Sequence, residues 1–374
     1  MLYLHIPYCR TACTYCDFHF SINHSSIGNM VDAMCKEMEM RSGFLDRHFP
    51  IETIYLGGGT PSLLSDSNLN KLFDSIFKNF NIAGSFECTL EANPDDLTAE
   101  KLREIRKSKV NRLSIGVQSF FDDELKLMNR AHDSDQARRS ILNAVDSGFE
   151  NITIDLIYGI PGSGLVRWAN NLEIAFSLPV KHLSCYGLTI ETGTLLQKQI
   201  SQGKVAPASE EAFSEQFGYL MDAAPSNGFE HYEISNFAKP GFRSMHNSRY
   251  WNDTPYIGIG PSAHSYNRKS RQWNVSSNSN YIQSIAKGDL PCTIEELSTR
   301  DRYNEYVMTR LRTIEGVDID RLNELFGESF VEHFLTNVAS FLNGGFVCRI
   351  ENQFRLTRSG QYIADRIASD LFAV

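Results

Sequence analysis

Eight cysteines occur in this 374-residue chain, and three of them, Cys9, Cys13 and Cys16, fall within eight residues. Thiolates in a C-x3-C-x2-C arrangement on one tight loop can converge on a single soft metal centre. A structural zinc site usually takes four ligands. No further Cys or His stands at a zinc-finger spacing, although His19 and His24 keep a zinc knuckle open. Three cysteines can instead hold three irons of a [4Fe–4S] cluster and leave the fourth iron open to an incoming ligand. The missing fourth ligand favours the cluster. Cys35, Cys88, Cys185, Cys292 and Cys348 have no partner nearby in sequence and read as small buried hydrophobes.

A second group of residues could bind a ligand beside such a centre. Gly57-Gly58-Gly59-Thr60-Pro61-Ser62 follows an apolar run. Glycines there let a ligand approach backbone N–H and C=O groups, although a plain tight turn explains them equally well. Polar residues close further apolar runs: Glu91 in Leu-Glu-Ala-Asn-Pro, Gln118 in Ile-Gly-Val-Gln-Ser-Phe, and Asp155 among Ile154, Leu156 and Ile157. An acid in that last setting is costly to bury unpaired.

The elements that would position these groups alternate. Strand-like runs at Leu2–Ile6, Thr53–Leu56, Glu87–Glu91, Arg112–Val117, Ile152–Tyr158 and His182–Leu188 are separated by stretches with helical spacing. The latter are Ile27–Arg41, Ser67–Asn79, Ala99–Lys107, Ser134–Ser147, Val166–Ala175 and Glu210–Ala224. Six such units predict parallel strands with right-handed crossovers, as an open sheet or an incomplete barrel. The chemistry-bearing residues gather at the strands' C-terminal ends, where barrel enzymes keep their sites, and this favours the barrel. After about residue 230 the rhythm breaks. Helices at Arg300–Arg312, Asp318–Leu325 and Phe330–Leu342, strands at Phe346–Ile350 and Gln353–Leu356, and a last helix at Thr357–Ala368 suggest a winged-helix-like unit. The expected fold is α/β: a partial (β/α)6 TIM-like barrel over residues 1–235 and a smaller C-terminal α+β domain over 236–374.

Composition narrows the function classes. The chain is 42% hydrophobic and 22% charged, which excludes a disordered chain. Its net charge of −9 argues against a nucleic-acid or anionic-membrane binder. The Phe330–Leu342 helix carries Glu332 and no Lys or Arg, so it is not read as a DNA-recognition helix. No apolar run is long enough for a transmembrane helix, and MLYLHIPYC is not a signal peptide. Scattered cysteines in a chain of this length point to reduced thiols and a cytoplasmic location.

In order along the chain stand Tyr-Leu-His-Ile-Pro, the cysteine triplet, Cys-Asp-Phe, Gly-Gly-Gly-Thr-Pro-Ser, Leu-Glu-Ala-Asn-Pro, Asn-Arg-Leu-Ser-Ile-Gly-Val-Gln-Ser-Phe and Asp-Leu-Ile-Tyr-Gly-Ile-Pro. In this series the chain resembles the radical S-adenosylmethionine (SAM) family over essentially its whole length. More narrowly it resembles the group of oxygen-independent coproporphyrinogen III oxidases and HemW-type haem chaperones. The resemblance implies that Cys9, Cys13 and Cys16 hold the cluster and that its open iron takes the amino and carboxylate groups of SAM. It implies that Tyr3, Gly58, Gly59, Thr60 and Glu91 surround that cofactor. Gln118, Arg130 and Asp155 match further SAM contacts of the oxidase, in which a second SAM is bound.

Two departures separate this chain from the oxidase. Phe18 stands where the oxidase has an additional cysteine, and the first strand begins at Leu2, ahead of which the oxidase carries a leading segment. The chaperone branch instead has an H-N-x-x-Y-W motif, matched by His246-Asn247-Ser248-Arg249-Tyr250-Trp251. A histidine can ligate haem iron and aromatics can pack on the macrocycle; a buried, hydrogen-bonded structural His246 is the equal alternative on the motif alone. The sequence thus leads to a haem chaperone with a [4Fe–4S] cluster, SAM and haem. Its partners would be haem and haem-acceptor proteins, with room for transient docking on membrane-bound acceptors. The oxidase is the alternative, and a non-catalytic zinc protein a third reading.

Overall fold

The computed structural model describes every residue except Arg47. The six expected strands are present as β1 (Leu2–Ile6), β2 (Ile51–Gly58), β3 (Ile82–Ala92), β4 (Arg112–Gln118), β5 (Asn151–Tyr158) and β6 (His182–Gly187). Each pairs in parallel with the next, in sequence order. Their apolar composition follows from burial on both faces. Leu2, Leu4, Ile54, Leu56, Leu113, Ile115, Ile152, Ile154 and Leu183 are all fully buried. The crossovers contain α1 (Ile27–Met40), α2 (Asp66–Asn79), α3 (Ala99–Lys107), the short α4 (Asp122–Leu127), α5 (Ser134–Asp146) and α6 (Leu165–Ser177). Ser65, Thr98 and Asp133 cap the backbone at the starts of α2, α3 and α5. After β6 follow α7 (Leu195–Ser201) and α8 (Glu210–Ser226).

The segment without clear periodicity contributes to the same sheet. A hairpin of β7 (Glu230–Glu233) and β8 (Asn236–Ala238) adds antiparallel to β6. After α9 (Met245–Tyr250), strand β9 (Ile257–Ile259) adds in parallel to β1. The result is a nine-stranded sheet in the order β7-β8-β6-β5-β4-β3-β2-β1-β9. Elements of three or four residues cannot show a period, which is why this part of the sheet is not legible in the sequence.

A small antiparallel sheet follows, formed by β10 (His264–Tyr266), β11 (Ser270–Asn274) and β12 (Cys292–Glu296), with α10 (Asn278–Lys287) between its last two strands. The main apolar core extends to Ile285, and a second core begins at Tyr303 and includes Leu371. That second core joins α11 (Thr299–Leu311), β13 (Val317–Asp318), α12 (Ile319–Phe326) and α13 (Glu328–Asn343) to a hairpin of β14 (Val347–Ile350) and β15 (Gln353–Leu356). The expected last helix is interrupted. It forms α14 (Arg358–Gln361) and α15 (Ala364–Asp370), because Ile363 leaves the helical region at φ −126°.

Candidate functional site

Cys9, Cys13 and Cys16 stand on the loop after β1 and line one cavity of about 500 Å³ at the C-terminal ends of β1–β6. The loop is held at several points. The Cys9 N–H donates to the Ser21 carbonyl at 3.0 Å, Thr14 N–H to Met128 at 3.1 Å, and Asn129 Nδ2 to Ala12 at 2.7 Å. Arg10 pairs with Asp96 at 2.6 Å. His24 and His19 are engaged elsewhere, on the Cys9 carbonyl and on Asn278 Oδ1. Among the described residues no three Cys, His, Asp or Glu side chains gather around a single-ion point; the three thiols stand round the cavity wall. Burial raises the Cys9 thiol pKa and lifts that of Cys16 to about 11. A metal centre would offset this, because a coordinating thiol is deprotonated by its cation.

The glycine turn presses against the loop. A Cβ on Gly59 would lie 2.6 Å from the Tyr8 carbonyl oxygen, and one on Gly58, at φ +109°, would lie 2.7 Å from His5 Nδ1. Neither position has room for a side chain, so backbone lines the cavity here. The Thr60 hydroxyl contacts Cys9 Sγ at 3.5 Å and accepts from Asn93 Nδ2 at 3.2 Å. Asn93 Oδ1 in turn accepts from Arg130 Nη2 at 2.6 Å, and Arg130 Nη1 lies 3.3 Å from Cys13 Sγ. This chain of contacts ties the ends of β2, β3 and β4 to two cluster cysteines. Asn93 is a site residue the sequence reading did not single out, although it sits inside the Leu-Glu-Ala-Asn-Pro match.

Four carboxylates line the cavity, Asp17, Glu91, Asp155 and Glu191, and two of them, Glu91 and Asp155, stand on the strands. Glu91 accepts from Tyr55 OH at 2.8 Å and from the Gly58 N–H at 3.1 Å. Burial, reinforced by the charge of Asp155, raises its pKa to about 7. Asp155, 3.4 Å from Ser114 Oγ, is raised to about 6, again mainly by burial. Gln118 turns into the cavity from a left-handed backbone at φ +63°, where the β4–β5 register shifts. Non-glycine residues rarely hold that conformation.

The donor set fits a cluster with a SAM-like ligand. Three thiols, a backbone cradle, the strand carboxylates of Glu91 and Asp155 and the guanidinium groups of Arg112 and Arg130 share one cavity, and Arg130 Nε is buried without a partner. Of the expected residues, Gly58, Gly59, Thr60, Glu91, Gln118, Arg130 and Asp155 line it with the cysteines. Tyr3 does not. Its hydroxyl bonds His5 Nδ1 at 3.1 Å, and it lines a neighbouring cavity of about 440 Å³.

His246 reaches neither cavity. It is 1% exposed, Nδ1 bonds Thr53 Oγ1 at 2.9 Å, and Nε2 bonds Tyr250 OH at 3.3 Å. Burial holds it neutral. An iron ligand needs a free ring nitrogen and space for the macrocycle, and His246 has neither; it is the buried, hydrogen-bonded histidine of the alternative reading. Its motif sends Asn247 to the first cavity and Tyr250 to the second.

The family model of the Radical SAM superfamily matches residues 3–170, and that of the HemN C-terminal domain matches residues 297–363. The chain is 35% identical to the heme chaperone HemW of Bacillus subtilis, over 98% of this chain and 97% of that protein. It is 31% identical to the heme chaperone HemW of Escherichia coli, over 91% and 92%. Among solved structures, coproporphyrinogen III oxidase (HemN) from Escherichia coli superposes with a TM-score of 0.87 at 22% identity, over all of this chain and 89% of that one. At that identity the likeness is one of fold.

Proposed function

The chain belongs to the radical SAM superfamily and, within it, to the HemW group, and from that premise we propose that it is a haem chaperone that binds haem and transfers it to acceptor proteins. The observation that carries this reading is the near-full-length relation to proteins named heme chaperone HemW. It is supported by Phe18, 70% exposed beside the cysteines, where the oxidase pattern has a further cysteine.

Cys9, Cys13 and Cys16 would hold a [4Fe–4S] cluster, and Gly58, Gly59, Thr60, Glu91, Gln118, Arg130 and Asp155 would hold SAM. When bound, the reduced cluster can supply one electron to the SAM sulfonium. The chain's own residues bind and orient. Arg130, fixed by Asn93 and the Gly116 carbonyl at 2.8 Å, suits a ligand carboxylate. Glu91 and Asp155 suit an amino group and ribose hydroxyls. Thr60 and Asn93 hold the cysteine loop against the strand ends. The segment 1–235 supplies the cysteines and the SAM-side residues named above, and 236–374 adds Asn247 to the same cavity and Tyr250 to its neighbour. No described helix is long and apolar enough to cross a membrane. All eight cysteines are free, in keeping with a reducing, cytoplasmic setting from which the protein would dock on acceptors, membrane-bound ones included.

Anaerobic haem titration of the cluster-reconstituted protein tests the proposal. A Soret band saturating near one haem per chain is expected. The absence of stoichiometric haem would defeat it, and conversion of coproporphyrinogen III to protoporphyrinogen would move the protein to the oxidase reading.

A further inference from the structure

A second cavity, of about 440 Å³, adjoins the first and shares Asp17, Phe18, Gly58 and Glu91 with it. Its remaining lining is rich in rings: Tyr3, Tyr250 and Tyr256, with the imidazoles of His5, His19 and His264. Its size is that of an ordinary cofactor pocket, and aromatic walls suit a flat, conjugated ligand. Phe18, 70% exposed, stands at the junction of the two cavities and offers apolar surface to whatever enters.

The three imidazoles differ in availability. His5 is committed through both ring nitrogens, Nδ1 to Tyr3 OH and Nε2 to the His19 carbonyl at 2.9 Å. His19 spends one ring nitrogen, Nε2, on Asn278 Oδ1 at 2.7 Å. His264, at the start of β10, is exposed, and its ring stacks on Trp273 with centroids 6.0 Å apart. Among the described residues nothing hydrogen-bonds the His264 ring, so its nitrogens are free for a metal while the indole fixes its plane.

We propose that haem sits in this second cavity with its iron ligated by His264. The inference rests on the haem-chaperone reading and adds the site. His246 then acts as a positioning residue, holding Tyr250 in the wall through the 3.3 Å contact to its hydroxyl. Among the described residues no Lys or Arg lines the cavity, whereas Asp17 and Glu91 do. The propionates must therefore point outward to solvent.

The test is anaerobic hemin titration of the full-length, cluster-loaded protein, comparing wild type with His264→Ala, His264→Met and His19→Ala. Loss of an iron ligand should weaken binding at least about tenfold and shift the Soret band in His264→Ala. His264→Met should retain stoichiometric haem with a shifted band, which a misfolded variant could not do. His19→Ala should keep the wild-type spectrum. Hemin dimethyl ester should bind wild type within about threefold of hemin, since no Lys or Arg among the described residues lines the cavity. Wild-type affinity and spectrum in both His264 variants would overturn the site and leave the chaperone reading standing. Failure of wild type to bind hemin would overturn both.

Discussion

Replacing Glu91 by Gln should change stability in a way that depends on pH. In the folded chain the Glu91 carboxyl titrates near 7, against a usual value of 4.5, mainly because burial penalises its charge. Between those values the folded state keeps a proton that the unfolded state releases. The raised pKa therefore contributes stability that is fully present below 4.5 and is lost as pH rises through about 7. Each pH unit in that window is worth about 1.4 kcal/mol per proton, giving an upper bound near 3 kcal/mol. Glu91 faces an open cavity, so about 1–2 kcal/mol is the realistic size. Gln keeps the bond from Tyr55 OH but loses either its match to the Gly58 N–H or its fit, at about 1 kcal/mol. Urea unfolding of metal-free, SAM-free protein should thus find Glu91→Gln about 1 kcal/mol less stable than wild type at pH 5. The gap should close or reverse by pH 8. The burial of Asp155 is common to both proteins and cancels, and its repulsion with Glu91 is already contained in the Glu91 shift. A gap that stays constant from pH 5 to 8, or widens in favour of wild type, would refute the reasoning.

The same ionisation should govern ligand binding: SAM affinity of the cluster-loaded wild type should rise about tenfold from pH 6 to 8, while Glu91→Gln binds weakly and with a flatter profile in calorimetry. Gly59→Ala should lower stability by about 1–3 kcal/mol and abolish SAM binding, because its Cβ would meet the Tyr8 backbone; urea melts and calorimetry check this. Cys9→Ala should lose the cluster's visible absorbance after anaerobic reconstitution, with iron and sulfide falling together. His246→Ala should cost about 2–4 kcal/mol by leaving Thr53 and Tyr250 without a buried partner, yet leave the Soret position of bound haem unchanged.

The cluster loop and the six parallel strands are legible in the sequence because their signals are local. Cys9, Cys13 and Cys16 fall within eight residues, and β1–β6 are apolar runs long enough to read. The wall residues at strand ends, such as Glu91 and Asp155, are visible as polar residues that close such runs. What the sequence does not reveal depends on distant contacts. Asn93 matters through Arg130, which is 37 residues away. The free ring of His264 is told apart from the committed rings of His5 and His246 only by their hydrogen bonds. His246 carries a recognisable motif, but whether a histidine offers a nitrogen or spends both is decided by neighbours such as Thr53, 193 residues away. The strands β7–β9 are too short for a period, and only their pairing with β6 and β1 defines them.

Haem transfer is the most direct test of the chaperone account. Cluster-loaded protein carrying one equivalent of haem, mixed anaerobically with a haem-free acceptor, should lose its Soret band as the acceptor's holo-spectrum appears. The rate should rise with acceptor concentration. Haem that stays bound, or that leaves at a rate independent of acceptor, would contradict it.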